Sequence, residues 1–206
     1  MRTGLFACVL SLAAHAATIT FSSAGTAADP NQTNSTGLNT IAIAKNPVWG
    51  NPLPGSQWVS YGVTGDPNAP GYFVVPNNSI VTFTQTFFLS GAPLGGSVGV
   101  MADDSTAVLL NGIVLMREAP PEGNMYRLCS DVAIGCLFPT IVDLTPALHA
   151  GLNTLQFQVA QRHAVSFGLD YSGSAFTLEP TPEPPSMALL GFALAGVSLL
   201  LRRRRP

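Results

Sequence analysis

Hydrophobic and polar positions alternate with a period of two along much of this chain, the spacing of a half-buried strand and not of a helix. Over residues 79–89, Val81, Phe83, Phe87 and Leu89 fall on one face, interrupted only by Gln85, and threonines dominate the other. β-branched and aromatic side chains suit such a pleated surface. Residues 106–116 predict a hairpin, because two apolar runs flank Asn111-Gly112 and both turn residues tolerate the positive φ of a type I′ turn. Further strands are predicted at 154–160, with Leu155, Phe157 and Val159 on one face, at 165–171, and at 174–178. Before them, 145–151 reads as one helical turn, with Thr145 as cap, Pro146 in the first position and Gly151 as stop. Residues 22–39 are rich in Ser, Thr, Asn and Gly and read as a loop or loosely held N-terminal arm. Asn46-Pro47 and Asn51-Pro52-Leu53-Pro54-Gly55 mark another loop. The expected class is an all-β antiparallel sandwich with Phe83, Phe87, Val108, Leu110, Leu155, Phe157 and Val159 between its sheets.

Both ends break the alternation. Arg2 precedes an apolar run over residues 4–14, and Ala14-His15-Ala16 gives a small-x-small pattern. This predicts a helical signal peptide over residues 1–17, cut by signal peptidase. Cys8 lies inside its apolar centre, too early for a lipidation site. At the other end, residues 179–185 form a Pro-rich linker, residues 186–201 carry no charge, and Arg202, Arg203, Arg204 and Arg205 follow before Pro206. Charge is costly at the centre of a bilayer, and arginines are retained on the cytoplasmic side. The segment predicts a transmembrane helix over 186–201 and a cytoplasmic tail over 202–206. At about 1.5 Å per residue it reaches roughly 24 Å, against a hydrocarbon core of about 30 Å, so it can barely span.

Pro182-Glu183-Pro184, a short apolar helix and an arginine cluster in that order resemble the PEP-CTERM sorting tail of Gram-negative bacteria. Here Pro185 intervenes before Ser186, where that family usually has Ser directly after the motif. The resemblance implies an exosortase-type partner that cuts at the motif. It also implies a transient inner-membrane anchor and release to the cell envelope or extracellular matrix.

Residues 18–178 are left as one ectodomain, of a size to bury a sizeable core. Lys45, Arg117, Arg127 and Arg162 oppose Asp29, Asp66, Asp103, Asp104, Glu118, Glu122, Asp131, Asp143 and Asp170, so this part is acidic. A nucleic-acid partner, which needs a basic surface, is not expected. Cys129 and Cys136 survive signal removal in a chain bound for an oxidising compartment, and with no further Cys or His close by they predict a disulfide; free thiols are the alternative.

Residues 97–112 combine a strand, Asp103-Asp104, a second strand and Asn111-Gly112. Together with Asp143-Leu144-Thr145 and Gly151-Leu152-Asn153 they resemble galactose-binding-like jelly rolls. The resemblance implies a jelly-roll-like sandwich and a capacity for sugars, with Asp103 and Asp104 as Ca²⁺ ligands in the related lectin domains. Hard carboxylate oxygens suit that ion, although one pair supplies too few of them. The alternative is a turn in which the two side chains bond nearby amides. Trp49 in its Pro/Gly/Asn-rich loop, Tyr72 and Asn111 are the candidate ligand-binding residues, while Trp58 is expected in the core.

Catalytic signals are weak. His149 and His163 have no metal-ligand spacing, and there is no Gly-x-Ser-x-Gly, His-Glu-x-x-His or phosphate loop. The sequence therefore predicts a non-catalytic exported envelope or matrix protein without a cofactor. The alternatives are a lectin-like module binding extracellular polysaccharide, with or without Ca²⁺, and more remotely an ice-binding protein. For the last, Thr82, Thr84 and Thr86 supply a single row of threonines.

Overall fold

The computed structural model describes residues 14–118, 134–162 and 165–180, together with Gly191 and Leu194. The strands are β1 (Ala14–Ser22), β2 (Gln32–Asn34), β3 (Ile41–Ala42), β4 (Val59–Ser60), β5 (Ile80–Leu89) and β6 (Ala92–Asp103). They continue as β7 (Ser105–Leu110), β8 (Ile113–Met116), β9 (Thr140–Asp143), β10 (Gly151–Ala160) and β11 (Gly168–Pro180). Sheet A runs β3-β4-β11-β6-β9, with β1 also paired to β11, and sheet B runs β2-β5-β10-β7-β8. Taking β4 to β11 as eight consecutive strands, the two sheets hold them in the orders 1-8-3-6 and 2-7-4-5. That is the jelly roll, in which paired strands travel together and switch sheets at each end.

The period-two faces explain the core. Val81, Phe83, Phe87 and Leu89 of β5, Val108 and Leu110 of β7, and Leu155, Phe157 and Val159 of β10 are buried against Val98, Val100 and Ala102 of β6 and Leu169 and Tyr171 of β11. Gln85 interrupts the apolar face without an unmet polar group. Its amide donates to Asp29 Oδ2 (3.0 Å), and its carbonyl accepts from the Tyr171 hydroxyl (2.8 Å). The hairpin forms as expected, with Asn111 at φ 53° and Gly112 at φ 81° between β7 and β8.

Several expectations need correction. Residues 22–39 are not a loose arm. They contain β2, and buried Gln32 accepts at Oε1 from the Ala24 and Gly25 amides (3.0 and 2.8 Å). The helical turn is a 3₁₀ turn over Thr145–Ala147 preceded by Leu144, and Asp143 Oδ1, not a Thr145 side chain, takes the Thr145 amide at 2.9 Å. The strands expected at 165–171 and 174–178 are one strand, β11, starting at Gly168. Ser172-Gly173 does not break it, because a Cβ at Gly173 would lie 2.6 Å from the Ser97 carbonyl and 2.7 Å from the Phe21 ring. Glycine is there for close packing.

Residues Ala16–Leu178 form one compact unit, and Met1–His15 with Glu179–Pro206 form a second. β1 begins at Ala14, so residues 14–17 of the expected leader are strand. The rest of the leader, the motif Pro182, Glu183 and Pro184, and the arginine cluster lie outside the described residues. So does the expected membrane helix apart from Gly191 and Leu194, which are helical. Among the described residues no helix is long and apolar enough to cross a membrane.

Candidate functional site

β6 and β7 meet at Asp103-Asp104, beside the end of β10 and the start of β11, where Gly168 faces Asp103 and Ala160 faces Ser105. Alternation along β6 sends Val98, Val100 and Ala102 inward, so Met101 and Asp103 project from the other side of sheet A. That side is covered. The Pro/Gly-rich segment 43–58 lies over it, and Trp49, Trp58, Met101 and Cys136 form a second small core with Ile43 and Leu53 packed against it. The two indole rings lie 4.3 Å apart, tilted by 34° to each other. Gly168 is required beneath them, since a Cβ there would come within 2.8 Å of the Trp49 ring.

The cover is held by buried carboxyl groups. Trp49 Nε1 donates to Asp103 Oδ2 at 2.7 Å, and the Leu53 amide donates to Asp170 Oδ2 at 2.8 Å. Asp170 Oδ1 also accepts from the Ser23 hydroxyl at 2.9 Å. Burial pushes the Asp103 carboxyl well above the usual carboxylate range. The charge of Asp104 and a hydrogen bond between the two side chains push the same way, while the Trp49 contact opposes them. Burial raises Asp170 as well, against the donors of Ser56, Leu53 and Ser23.

Asp104 is occupied on its own side. The Arg162 amide donates to its Oδ2 at 2.6 Å, and with the Gln161 carboxamide oriented to satisfy both of its ends, the Gln161 nitrogen donates to the same oxygen at 2.8 Å. The Arg162 guanidinium grips Glu118 through Nε (2.8 Å) and through one terminal nitrogen to both carboxylate oxygens (2.6 Å each). The Ser105 hydroxyl completes the cluster on Glu118 Oε1 at 2.8 Å. Sequence reasoning missed Gln161, Arg162, Glu118 and Ser105, whose separations in the chain follow no motif.

Of the candidate binding residues, Trp49 and the aspartate pair come together, and Tyr72 and Asn111 are held elsewhere by their own partners. Tyr72 is half-buried, its hydroxyl donates to the Val165 carbonyl at 2.6 Å, and burial, with a smaller effect of Asp103, raises its phenol. Asn111 belongs to the β7–β8 turn. It donates to the Ala147 carbonyl (2.8 Å) and Asn153 Oδ1 (2.9 Å) and accepts from the Thr154 amide (2.8 Å). Convergence is therefore found, but inside the protein. Trp49 is 3% exposed, Asp103 7% and Asp104 4%, so the indole is no sugar-stacking platform.

The donor set does not fit Ca²⁺ either. Asp103 Oδ2 and Asp104 Oδ2 each face N–H donors, and burial favours the neutral form of Asp103 where the ion would need a charged ligand. Among the described residues no three acidic, His or Cys side chains gather as a metal site. The arrangement is that of a fastening.

Cys136 is fully buried in this second core and is disulfide-bonded, and its carbonyl accepts from the Gly50 amide at 2.8 Å. Cys129 lies outside the described residues, so its pairing with Cys136 stays a proposal. Thiol labelling of the denatured, unreduced exported protein is expected to find no free thiol, and two per mature chain would rule the bridge out. Closing so short a loop is worth about 2.5 kcal/mol on the chain-entropy estimate.

Comparison with known proteins bears first on the tail. Residues 180–205 match the PEP-CTERM protein-sorting motif. That motif is the substrate signal of exosortase, and it marks the chain as an exported protein. No curated protein sequence matches the chain. Among solved structures, a family 35 carbohydrate binding module from Clostridium thermocellum is 10% identical. The likeness covers 77% of this chain and 97% of that one at a TM-score of 0.42. The α-L-rhamnosidase of Streptomyces avermitilis, complexed with L-rhamnose, is 19% identical over 72% of this chain and 13% of its own, at a TM-score of 0.38. The exo-β-1,3-galactanase of Phanerochaete chrysosporium, with galactose, is 14% identical over 77% and 29%, at 0.36. Likenesses at such scores add nothing to the strand order already described.

Proposed function

We propose that the protein is a non-catalytic component of the cell envelope or extracellular matrix, exported as a precursor and released from its inner-membrane anchor by an exosortase-type enzyme. The observation that carries this reading is the sorting motif at residues 180–205. The folded part supports it: the polar cluster at Asp103 and Asp104 serves to pin a covering segment, and Oδ2 of each aspartate accepts from the protein's own N–H donors. The arginines Arg202, Arg203, Arg204 and Arg205 hold the tail on the cytoplasmic side until the cut is made.

Mass spectrometry of the exported protein is expected to find a C-terminus near Pro182-Glu183-Pro184 and none of the four arginines. Replacing all four arginines by glutamine is expected to impair retention and processing. Recovery of the wild-type chain intact and only in the inner membrane would overturn the sorting reading. Glycan binding is the second reading, favoured not by the buried aspartates but by the uncharged threonine and glutamine rows on the outer face of sheet B.

A further inference from the structure

Segment 43–58 covers the outer side of sheet A, and no described residue is packed over the outer side of sheet B. On the outer side of sheet B, directly opposed residues form rows across the strands: Thr33, Thr84, Gln156, Leu109 and Val114 in one, Thr82, Gln158 and Ala107 in the next. Thr86 and Thr154 make a third, and Phe88 with Leu152, each 60% exposed, closes the field at one end. None of these positions is ionisable, in an ectodomain with nine acidic residues. Among the described residues the side chains of Thr33, Thr84, Gln156 and Gln158 make no hydrogen bond within the protein and are left to water.

We propose that this outer face of sheet B is the surface by which the exported protein holds a neutral polysaccharide. Strands about 4.8 Å apart present a regular grid of hydroxyl and carboxamide groups. Each carboxamide offers both donors and an acceptor, as a polymer covered in hydroxyls requires. The Phe88–Leu152 pair adds an apolar platform for the C–H face of a sugar ring. Charge decides against other polymers. An anionic polysaccharide or nucleic acid would need cations here, and none of the residues in these rows is one. A protein partner would want an aromatic or arginine-rich centre, and here the centre is threonine and glutamine. Ice would want an unbroken hydroxyl array, yet the long side chains of Gln156 and Gln158 stand on β10, the middle strand of the sheet.

The proposal rests on the reading of export for the presence of its partner, but its test does not depend on whether the tail is cut. The full-length chain in mild detergent is incubated with insoluble cellulose, curdlan and xylan, and the unbound fraction is measured. Retention on at least one of these uncharged glycans is expected. It should weaken about tenfold or more in Gln156→Ala/Gln158→Ala and in Phe88→Ser, with the melting midpoints of these outward-facing variants unchanged. No retention on any of the three, or undiminished retention by both variants, would overturn it. Inhibition of ice recrystallisation by the wild type that the same variants lose would also overturn it, giving the face to ice. Failure of this test leaves the mass-spectrometric test of sorting untouched.

Discussion

Phe157→Ala is expected to destabilise the protein by about 3–5 kcal/mol, the range for truncating a buried phenylalanine. Phe157 is fully buried at the middle of β10, directly opposite Phe83 of β5 and Val108 of β7. It is also the bridge between the sheets, since its ring stacks on Tyr171 of β11 at 4.5 Å. The truncation leaves a cavity bounded by both sheets, which close-packed strands cannot collapse into without breaking register. Tyr171 is tied by its hydroxyl to Gln85, and Gln85 to Asp29, so loss of the stack loosens a buried polar chain as well. Urea unfolding of wild type and variant measures the difference. A loss below about 1 kcal/mol, the level of ordinary surface changes, would place this face of β10 in solvent and overturn the sandwich register.

The strands that could be read from the sequence are those with one face in the core and one in water. β5, β7 and β10 keep most of their alternation because no described residue covers their outer side, whereas β8 (IVLM) is apolar throughout and was legible from the Asn111-Gly112 turn before it. β11 was harder, because Gly173 removes the side chain that would have marked its place. Close approach of the Phe21 ring, not a turn, selects that glycine. β2 hides in a polar stretch because its buried position is Gln32, whose amide group replaces backbone partners for residues 22, 24 and 25. Composition reads such a residue as solvent-facing; only its hydrogen bonds show otherwise.

At the aspartate pair, the sequence indicated which groups would meet but not that they would be enclosed. Trp49 and Asp103 do converge. Yet alternation places Asp103 on the outer side of sheet A, where a lone strand pattern expects water. The burial comes from segment 43–58, whose proline and glycine content announces irregular structure and says nothing of the surface it covers. The grip of Arg162 on Glu118 crosses 44 positions and joins two strand ends. No local spacing could have shown it.

Asp103→Asn is expected to stabilise the protein at neutral pH, although it removes a carboxylate with two hydrogen-bonding partners. Burial, and then the neighbouring Asp104, holds the Asp103 carboxyl protonated well above its usual range. Such a group contributes fully at pH values below its unfolded pKa of about 3.9, where both states carry the proton. As pH rises beyond that, the unfolded chain releases the proton and the native one keeps it. The contribution falls by about 1.4 kcal/mol for each pH unit until the native group also ionises. Asparagine is the permanent neutral analogue. Its oxygen can accept from Trp49 Nε1 as Asp103 Oδ2 does at 2.7 Å, and its nitrogen can donate to Asp104 in place of the shared proton. The melting midpoints of variant and wild type should then nearly coincide near pH 4 and separate in favour of the variant towards pH 7, at about 2–4 °C for each kcal/mol gained. Asp170, raised by burial in the same direction, leaves the variant a residual slope. Asp103→Ala is the control for the hydrogen bond itself. It strands the buried indole N–H and should lose about 1–3 kcal/mol. A midpoint difference between Asp103→Asn and wild type that stays constant from pH 4 to pH 7 would mean that Asp103 is ionised in the folded protein, and the fastening of segment 43–58 would then rest on a charged carboxylate.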